Sequence, residues 1–195
     1  MADKPSYQRS FAEKLAAIFL ETGSLDYLKS FWETMVREWP GIDRHRLDKY
    51  YYLLKCFMLY GLKYLRKTDL DEGSIKRYNE ILVELPFHPS RTDLVDSIRV
   101  YMLENYPGLI ISELTDLDAS KLVHVFEPLT ELAAKTRKRS VLDCAEHELG
   151  ALDPSLQLQH LAEHMFSVGA SPNVSIRNRK VLYGLSQKYK TSSCQ

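Results

Sequence analysis

The pattern in this chain that comes closest to a catalytic motif is His160-Leu161-Ala162-Glu163-His164. It has the order H-x-x-E-H of the inverted zinc-protease motif, and a spacing of four places both histidines on one helix face. Such a site needs a third protein ligand, a downstream glutamate in those enzymes, but no acidic residue follows Glu163. We therefore interpret the motif as amphipathic helix surface and keep a metal-dependent hydrolase as a remote alternative.

Other common catalytic patterns are missing from the sequence. It contains no G-x-S-x-G, no glycine-rich phosphate loop and no C-x-x-C pair. Acidic pairs such as Asp69 with Asp71 fit solvated helix ends. The sequence predicts no catalytic residue, no metal site and no cofactor, so we expect a protein that is not an enzyme.

Two clusters of basic residues have the composition of a phosphate-binding surface. One lies at residues 135–139, and the other, between Arg177 and Lys190, has five cations and no acid. Such stretches neutralise phosphates and release counterions, but they also fit solvated helix termini. The first run additionally has the form of a nuclear import signal. The candidate RNA-binding residues are Lys135, Arg137, Lys138, Arg139, Arg177, Arg179, Lys180 and Lys188.

The overall composition is that of a folded chain without net charge. Hydrophobic residues make up 45% of the 195 residues, and 26 basic residues balance 26 acidic ones. No global field therefore attracts nucleic acid or an anionic membrane. No apolar run suits a signal peptide or a membrane span, and Cys56, Cys144 and Cys194 are odd in number and widely spaced. We expect an intracellular, soluble protein with free thiols and no membrane partner.

Apolar residues recur at helical spacing along most of the chain, and strand signals are poor. Helix pairs are predicted at roughly residues 5–39, 43–85, 92–134 and 141–168, a pitch typical of HEAT-like repeats. One helix should end before Pro107, and Pro128 should kink or divide another. The predicted fold is all-α, with HEAT-like antiparallel helical repeats forming an α-solenoid; a globular helical bundle is the alternative. A single domain is expected at 1–190, with a disordered tail at 191–195.

The stretch Phe31–Leu54 organises the predicted array and contains both tryptophans. Trp32 and Trp39 continue the apolar face of one helix and are interpreted mainly as core residues. Pro40 stops this helix, and Asp43 is placed to cap the next. The surrounding charges fit either an ionic lattice that locks two helix pairs or a docking surface for a partner. These charged residues are Arg37, Glu38, Asp43, Arg44, Arg46, Asp48 and Lys49.

The first helix is expected to leave one face uncovered. Its apolar stripe runs from Phe11 to Phe19 and can cover one neighbouring helix pair. Ala12 and Ala16 are then expected on the opposite, moderately polar side. Exposed apolar surface of this kind usually marks an interface, so self-association through the N-terminal face is expected.

The central stretch FWETMVREWPGIDRHRLDKYYYLL resembles the signature segment of the nucleolar ribosomal RNA processing protein 1 family. Weaker similarity continues from Met1 to Tyr183. The resemblance implies a HEAT-like, non-catalytic scaffold in nucleolar precursors of the large ribosomal subunit, needed for rRNA processing. It implies other assembly factors and ribosomal proteins as partners, with precursor rRNA as a further one. Family members usually have a helical segment upstream of the position matching Met1 and a long basic tail, and neither is part of this sequence.

Overall fold

The computed structural model describes residues 4–114, 116, 118–153 and 158–192, and most of them lie in helices. This part of the chain contains no strand, which confirms the all-α prediction. Two short 3₁₀ helices, Trp39–Gly41 and Arg44–Arg46, form the corner between the second and third α-helices. The α-helices in this part are α1 (Pro5–Thr22), α2 (Leu25–Glu38), α3 (Leu47–Lys67), α4 (Glu72–Glu84), α5 (Asp96–Leu114), α6 (Ala119–Val125), α7 (Glu127–Lys135), α8 (Arg139–Gly150), α9 (Gln159–Ala170) and α10 (Ile176–Ser192).

The helices form two layers of stacked pairs. In the first layer α1 contacts α3, α3 contacts α5, and α5 contacts α8. In the second layer α2 contacts α4, α4 contacts α6 and α7, and both of these contact α9. The last helix, α10, packs against α7, α8 and α9. Because each pair contacts its neighbours in chain order, the arrangement is that of a HEAT-like repeat array.

The two internal prolines behave differently from each other. Pro128 lies in the first turn of α7 and separates it from α6, as predicted. The prediction that a helix ends before Pro107 is wrong, since α5 continues through Pro107 to Leu114. Tyr106, Ile110 and Leu114 are all fully buried around this proline. Their burial offsets the roughly 3 kcal/mol that an interior proline costs a helix.

The predicted single domain at 1–190 and tail at 191–195 stay predictions. Helix α10 extends through Ser192, and residues 193–195, including Cys194, lie outside the described part. Cys56 and Cys144 are free thiols. Among the described helices, none combines the length and the apolar composition needed to cross a bilayer.

The face on which the first helix packs differs in part from the one expected. Ala12 and Ala16 are buried where α1 contacts α3, whereas Tyr7 and Phe11 are 65% and 63% exposed. The expectation that the alanines lie outside is therefore wrong. Small side chains let two helix axes approach closely, and Phe19 then fills the next turn against Tyr64. Ala12 and Ala16 are not available for the self-association expected of that side, and self-association through the N-terminal face stays a prediction.

Side chains of neighbouring helices bind the carbonyl groups at several helix C-termini. Asn178 of α10 donates to the carbonyls of Ala133, Ala134 and Thr136 at the end of α7, over 2.9, 3.0 and 2.9 Å. Arg179 donates to Gly169 O at the end of α9 over 2.9 Å. These carbonyls have no amide partner within their own helices, so the contacts satisfy groups that would otherwise be left unpaired.

Arg99 performs the same role for the loop between α4 and α5. Its guanidinium is almost fully buried and donates to the carbonyls of His88, Arg91 and Leu94 over 2.6 to 3.1 Å. It also contacts the Asp96 carboxylate at 2.8 Å. Burial lowers the pKa of Arg99, while Asp96 opposes this change. The loop thus has a buried charge that is fully hydrogen-bonded, as a buried charge requires.

Replacing Arg99 should destabilise the whole array. In Arg99→Met the three loop carbonyls lose their donor, and we expect the free energy of unfolding to fall by roughly 3 kcal/mol or more. The matched control is Arg91→Met, because Arg91 is more exposed and pairs locally with Asp93 at 2.6 Å. This control should stay within about 1 kcal/mol of the parent. Urea unfolding followed by circular dichroism measures both, and equal stability of the two variants would contradict the assigned role of Arg99.

Candidate functional site

The two basic clusters predicted from the sequence meet on one surface. Lys135 and Arg137 come from the end of α7 and the turn after it, and Arg177 comes from the first turn of α10. The three line an open groove of about 580 Å³, which we call the basic groove. Thr136, Asn173 and Asn178 also line it, and no acidic residue does. Residues separated by 42 positions in the chain thus form one positively charged surface.

Within the basic groove the cations differ in how far they are neutralised. Lys135 forms an ion pair with Glu131 at 2.6 Å, on the same helix. In the described part of the chain, no carboxylate pairs with Arg137 or Arg177. Both guanidinium groups are exposed, so they keep their full charge and their donors for a ligand. Arg137 and Arg177 are therefore the strongest phosphate-binding candidates.

Several other candidate RNA-binding residues are engaged in the fold. Arg179 binds the carbonyls of Gly169 and Ser171 over 2.9 and 3.1 Å, and Lys188 binds Gly150 O at the end of α8. Arg139 pairs with Asp143 at 3.4 Å. Arg179 and Lys188 of the second cluster thus hold helix ends in place, whereas Arg139 of the first cluster is exposed and pairs with a carboxylate of its own helix.

The remaining two candidates lie beside the basic groove rather than in it. Lys138 contacts Asp96 at 3.7 Å and lines a neighbouring groove of about 420 Å³ with Arg137 and Arg91. Lys180 is exposed on α10 but does not line the basic groove.

The H-x-x-E-H motif does not form a convergent set of ligands. His160 is exposed, and Glu163 accepts a hydrogen bond from Gln159 at 3.2 Å. His164 instead faces α7, where its Nε2 lies 3.0 Å from Thr130 Oγ1. Burial lowers the pKa of His164, against the opposing charge of Glu127. Within the described residues, no group of three or more His, Cys, Asp or Glu side chains is placed to hold a metal ion.

The corner of the central stretch is held by Trp39. This side chain is only 4% exposed, and its Nε1 donates to Ser97 Oγ of α5 over 3.0 Å. Its ring meets Tyr51 of α3 edge-on, with centroids 5.2 Å apart. Trp32 is also buried. The interpretation of both tryptophans as core residues is confirmed.

Among the described residues, the corner charges form no lattice of ion pairs between helix pairs. Arg37 pairs with the adjacent Glu38 at 2.7 Å, and Arg46 pairs with Asp43 at 2.9 Å. All four side chains are more than half exposed, and each pair joins chain neighbours, so neither ties α2 to α3. Asp43 also accepts from the amide of His45 at 3.0 Å, which caps the short helix Arg44–Arg46.

Three of the corner residues line a second surface instead. Arg46, Asp48 and Lys49 border an open groove at the start of α3. Arg9 of α1 and Tyr101 of α5 border the same groove. Sequence reasoning missed Arg9 and Tyr101, because nothing in the local pattern indicates which helix ends lie side by side.

The chain is similar to one protein family and to several individual proteins. A family model described as "Nucleolar protein, Nop52" matches residues 1–179. Ribosomal RNA processing protein 1 homolog A of Mus musculus is 31% identical over 151 residues, which cover 73% of this chain and 30% of the relative. The Homo sapiens homolog A is 31% identical over 152 residues, covering 73% of this chain and 32% of the relative. The Caenorhabditis elegans ribosomal RNA processing protein 1 homolog is 25% identical over 219 residues, which cover 99% of this chain and 55% of the relative.

These matches confirm the resemblance that the central stretch carries, and the family description agrees with the predicted nucleolar location. The chain spans about a third of the length of these two homolog A relatives.

The corner should depend on Trp39 for stability. Trp39→Ala should lower the free energy of unfolding by about 3 to 5 kcal/mol, because a large buried ring is removed. Ser97→Ala removes only the hydrogen bond to Nε1 and should cost about 0.5 to 1.5 kcal/mol. Chemical denaturation measures both variants. If Trp39→Ala unfolded like the parent protein, the packing role of Trp39 would be refuted.

Proposed function

We propose, from the premise that this chain belongs to the Nop52 family of nucleolar proteins, that it is a non-catalytic helical scaffold in nucleolar precursors of the large ribosomal subunit. In this role it binds other assembly factors and ribosomal proteins and supports the processing of precursor rRNA. The mouse and human relatives described above are named for ribosomal RNA processing, which supports the proposal.

The scaffold role is supported by one observation: buried polar side chains hold helices and loops together by binding backbone carbonyls. Arg99, Asn178 and Asn79 all donate to backbone carbonyls that belong to other helices or loops. Catalytic groups need freedom to exchange protons or bind substrate, whereas these groups are committed to holding helices in place. A rigid array with exposed outer faces supports the assembly of other molecules around it.

The scaffold proposal is tested in cells depleted of the endogenous protein. The parent chain should sediment with large-subunit precursors and reduce the accumulation of unprocessed rRNA. The double variant His160→Ala with Glu163→Gln should do the same, because both side chains lie on exposed helix surface. Gradient sedimentation and blotting of precursor rRNA provide the two readouts. A variant that sediments normally but fails to support processing would favour catalysis and contradict a purely scaffolding role.

A second candidate function, direct contact with RNA, is favoured by the basic groove. Two unpaired guanidinium groups in a groove without acidic lining are suited to the phosphate backbone. The contact should be weak and independent of sequence, because arginine contacts to phosphates carry no sequence information. The groove would then help position precursor rRNA on the scaffold.

RNA affinity should depend on salt and on these two arginines. Lys135, Arg137 and Arg177 can together neutralise three phosphates of single-stranded RNA. The logarithm of the affinity should therefore fall with the logarithm of the salt concentration with a slope of about −2. Arg137→Glu with Arg177→Glu should weaken binding and flatten the slope. The control Lys14→Glu with Lys76→Glu changes net charge equally on exposed sites outside the groove and should have little effect. Strong preference for one RNA sequence, or equal loss in both double variants, would contradict this function.

A further inference from the structure

An open groove lies across the first layer of helices, beside the corner. It has a volume of about 700 Å³, and we call it the tyrosine groove. One side is the N-terminal end of α1, and the other is the second 3₁₀ helix with the start of α3 and one residue of α5. Its cationic and aromatic lining residues include Arg9, Arg46, Lys49, Tyr51, Tyr52 and Tyr101.

The floor of the tyrosine groove is aromatic and firmly supported. Tyr51 lies between Trp39, at 5.2 Å, and Tyr101, at 4.3 Å between ring centroids. Tyr52 donates a hydrogen bond to Glu13 of α1. All three tyrosines are half-buried, so each leaves part of its surface accessible. Rigid aromatic residues of this kind are enriched at the centres of protein interfaces.

The rim of the tyrosine groove is mainly positive. Arg9, Arg46 and Lys49 line it together with a single carboxylate, Asp48. Arg46 is partly neutralised by Asp43. Arg9 and Lys49 lie over the rings of Tyr52 and Tyr50, each at 5.5 Å, and neither pairs with a carboxylate in the part of the chain that the structure describes. Contact with an aromatic ring holds a cation in place and leaves its charge available.

We propose that the tyrosine groove binds an extended acidic segment of a partner protein. The groove spans α1, α3 and α5, and helix axes packed about 8 to 10 Å apart give it a length of about 20 Å. An extended chain advances about 3.3 Å per residue, so about six residues fill it. Carboxylates of the segment pair with Arg9 and Lys49, and an apolar side chain rests on the tyrosines. This inference depends on the scaffold role for its biological meaning, since it gives the chemistry of one partner.

An acidic peptide suits the tyrosine groove better than unpaired RNA does. Proteins that bind single strands stack bases on free aromatic ring faces. Here Tyr51 is engaged by Tyr101, and Tyr52 is engaged by the guanidinium of Arg9. The ring surface available for stacking is thereby reduced, while the charges that attract carboxylates are retained. The basic groove has the opposite character, because Arg137 and Arg177 pair with no described carboxylate and no aromatic residue is among its described lining residues.

The test uses a fluorescent peptide of about ten residues, long enough to span the groove, made of glutamate and aspartate around one leucine. Fluorescence anisotropy should show binding to the parent chain and at least about tenfold weaker binding of the same peptide made with glutamine and asparagine. Arg9→Glu with Lys49→Glu should also weaken binding of the acidic peptide by about tenfold. Thermal unfolding verifies that this variant is folded.

The matched control is Arg137→Glu with Arg177→Glu, which changes the net charge equally but lies outside the tyrosine groove. It should retain the affinity for the acidic peptide within about twofold, a difference below that of one exposed ion pair. Equal loss in both variants would mean general charge attraction and would overturn the proposal. Competition by oligouridylate would also overturn the proposal if it displaced the peptide from the parent chain and bound less well to the variant Arg9→Glu with Lys49→Glu. The groove would then be an RNA site.

A second measurement does not depend on any substitution. A photoreactive residue in place of the peptide leucine should cross-link to α1, α3 or α5 near the tyrosine groove, and cross-links confined to other helices would overturn the assignment. These assays use purified components, whereas the scaffold role is judged by sedimentation with precursor particles. A chain that sediments normally but does not bind the peptide would refute this inference alone.

Discussion

Helix C-termini leave carbonyl groups without donors, and in this protein the side chains of neighbouring helices supply many of those donors. Asn178 binds the end of α7, Arg179 binds the end of α9, and Asn79 donates to His124 O at the end of α6 over 2.7 Å. Each contact satisfies buried backbone groups and at the same time fixes how one helix pair sits on another. The relative positions of the inter-helix turns follow from these contacts, and the turns form the walls of the basic groove.

Because polar side chains are used in this way, a run of basic residues in the sequence does not by itself form a positively charged surface. Arg177 and Arg179 are two residues apart, yet the first is exposed in the basic groove and the second binds backbone carbonyls. A cation that is already committed to carbonyls contributes little to phosphate binding, because its donors are occupied. The positive surface therefore consists of a few residues from different turns, and its strength depends on their convergence rather than on the length of either run.

The corner of the central stretch shows a related division of roles. Trp39 is buried and connects α2 to α5 through Ser97, while the charged residues around it remain exposed. Apolar burial thus holds the corner, and the charges are left on the surface for other contacts. Arg46 and Lys49 border the tyrosine groove as a result. In a repeat array such exposed surfaces extend along the stack, which suits a protein that binds several partners at once.

The sequence by itself determined the fold class, the order of the helix pairs, the division at Pro128 and the burial of both tryptophans. These features follow from local periodicity and backbone chemistry, which act within a few residues of the chain. The sequence also indicated the family, through the long segment of unusual composition around the corner. Only the tertiary structure decided that Ala12 and Ala16 face α3 while Phe11 is exposed, and that α5 continues through Pro107. It likewise decided that Lys188 binds Gly150 O and that Lys138 contacts Asp96, because these partners are distant in the chain and their approach depends on packing that no local pattern encodes.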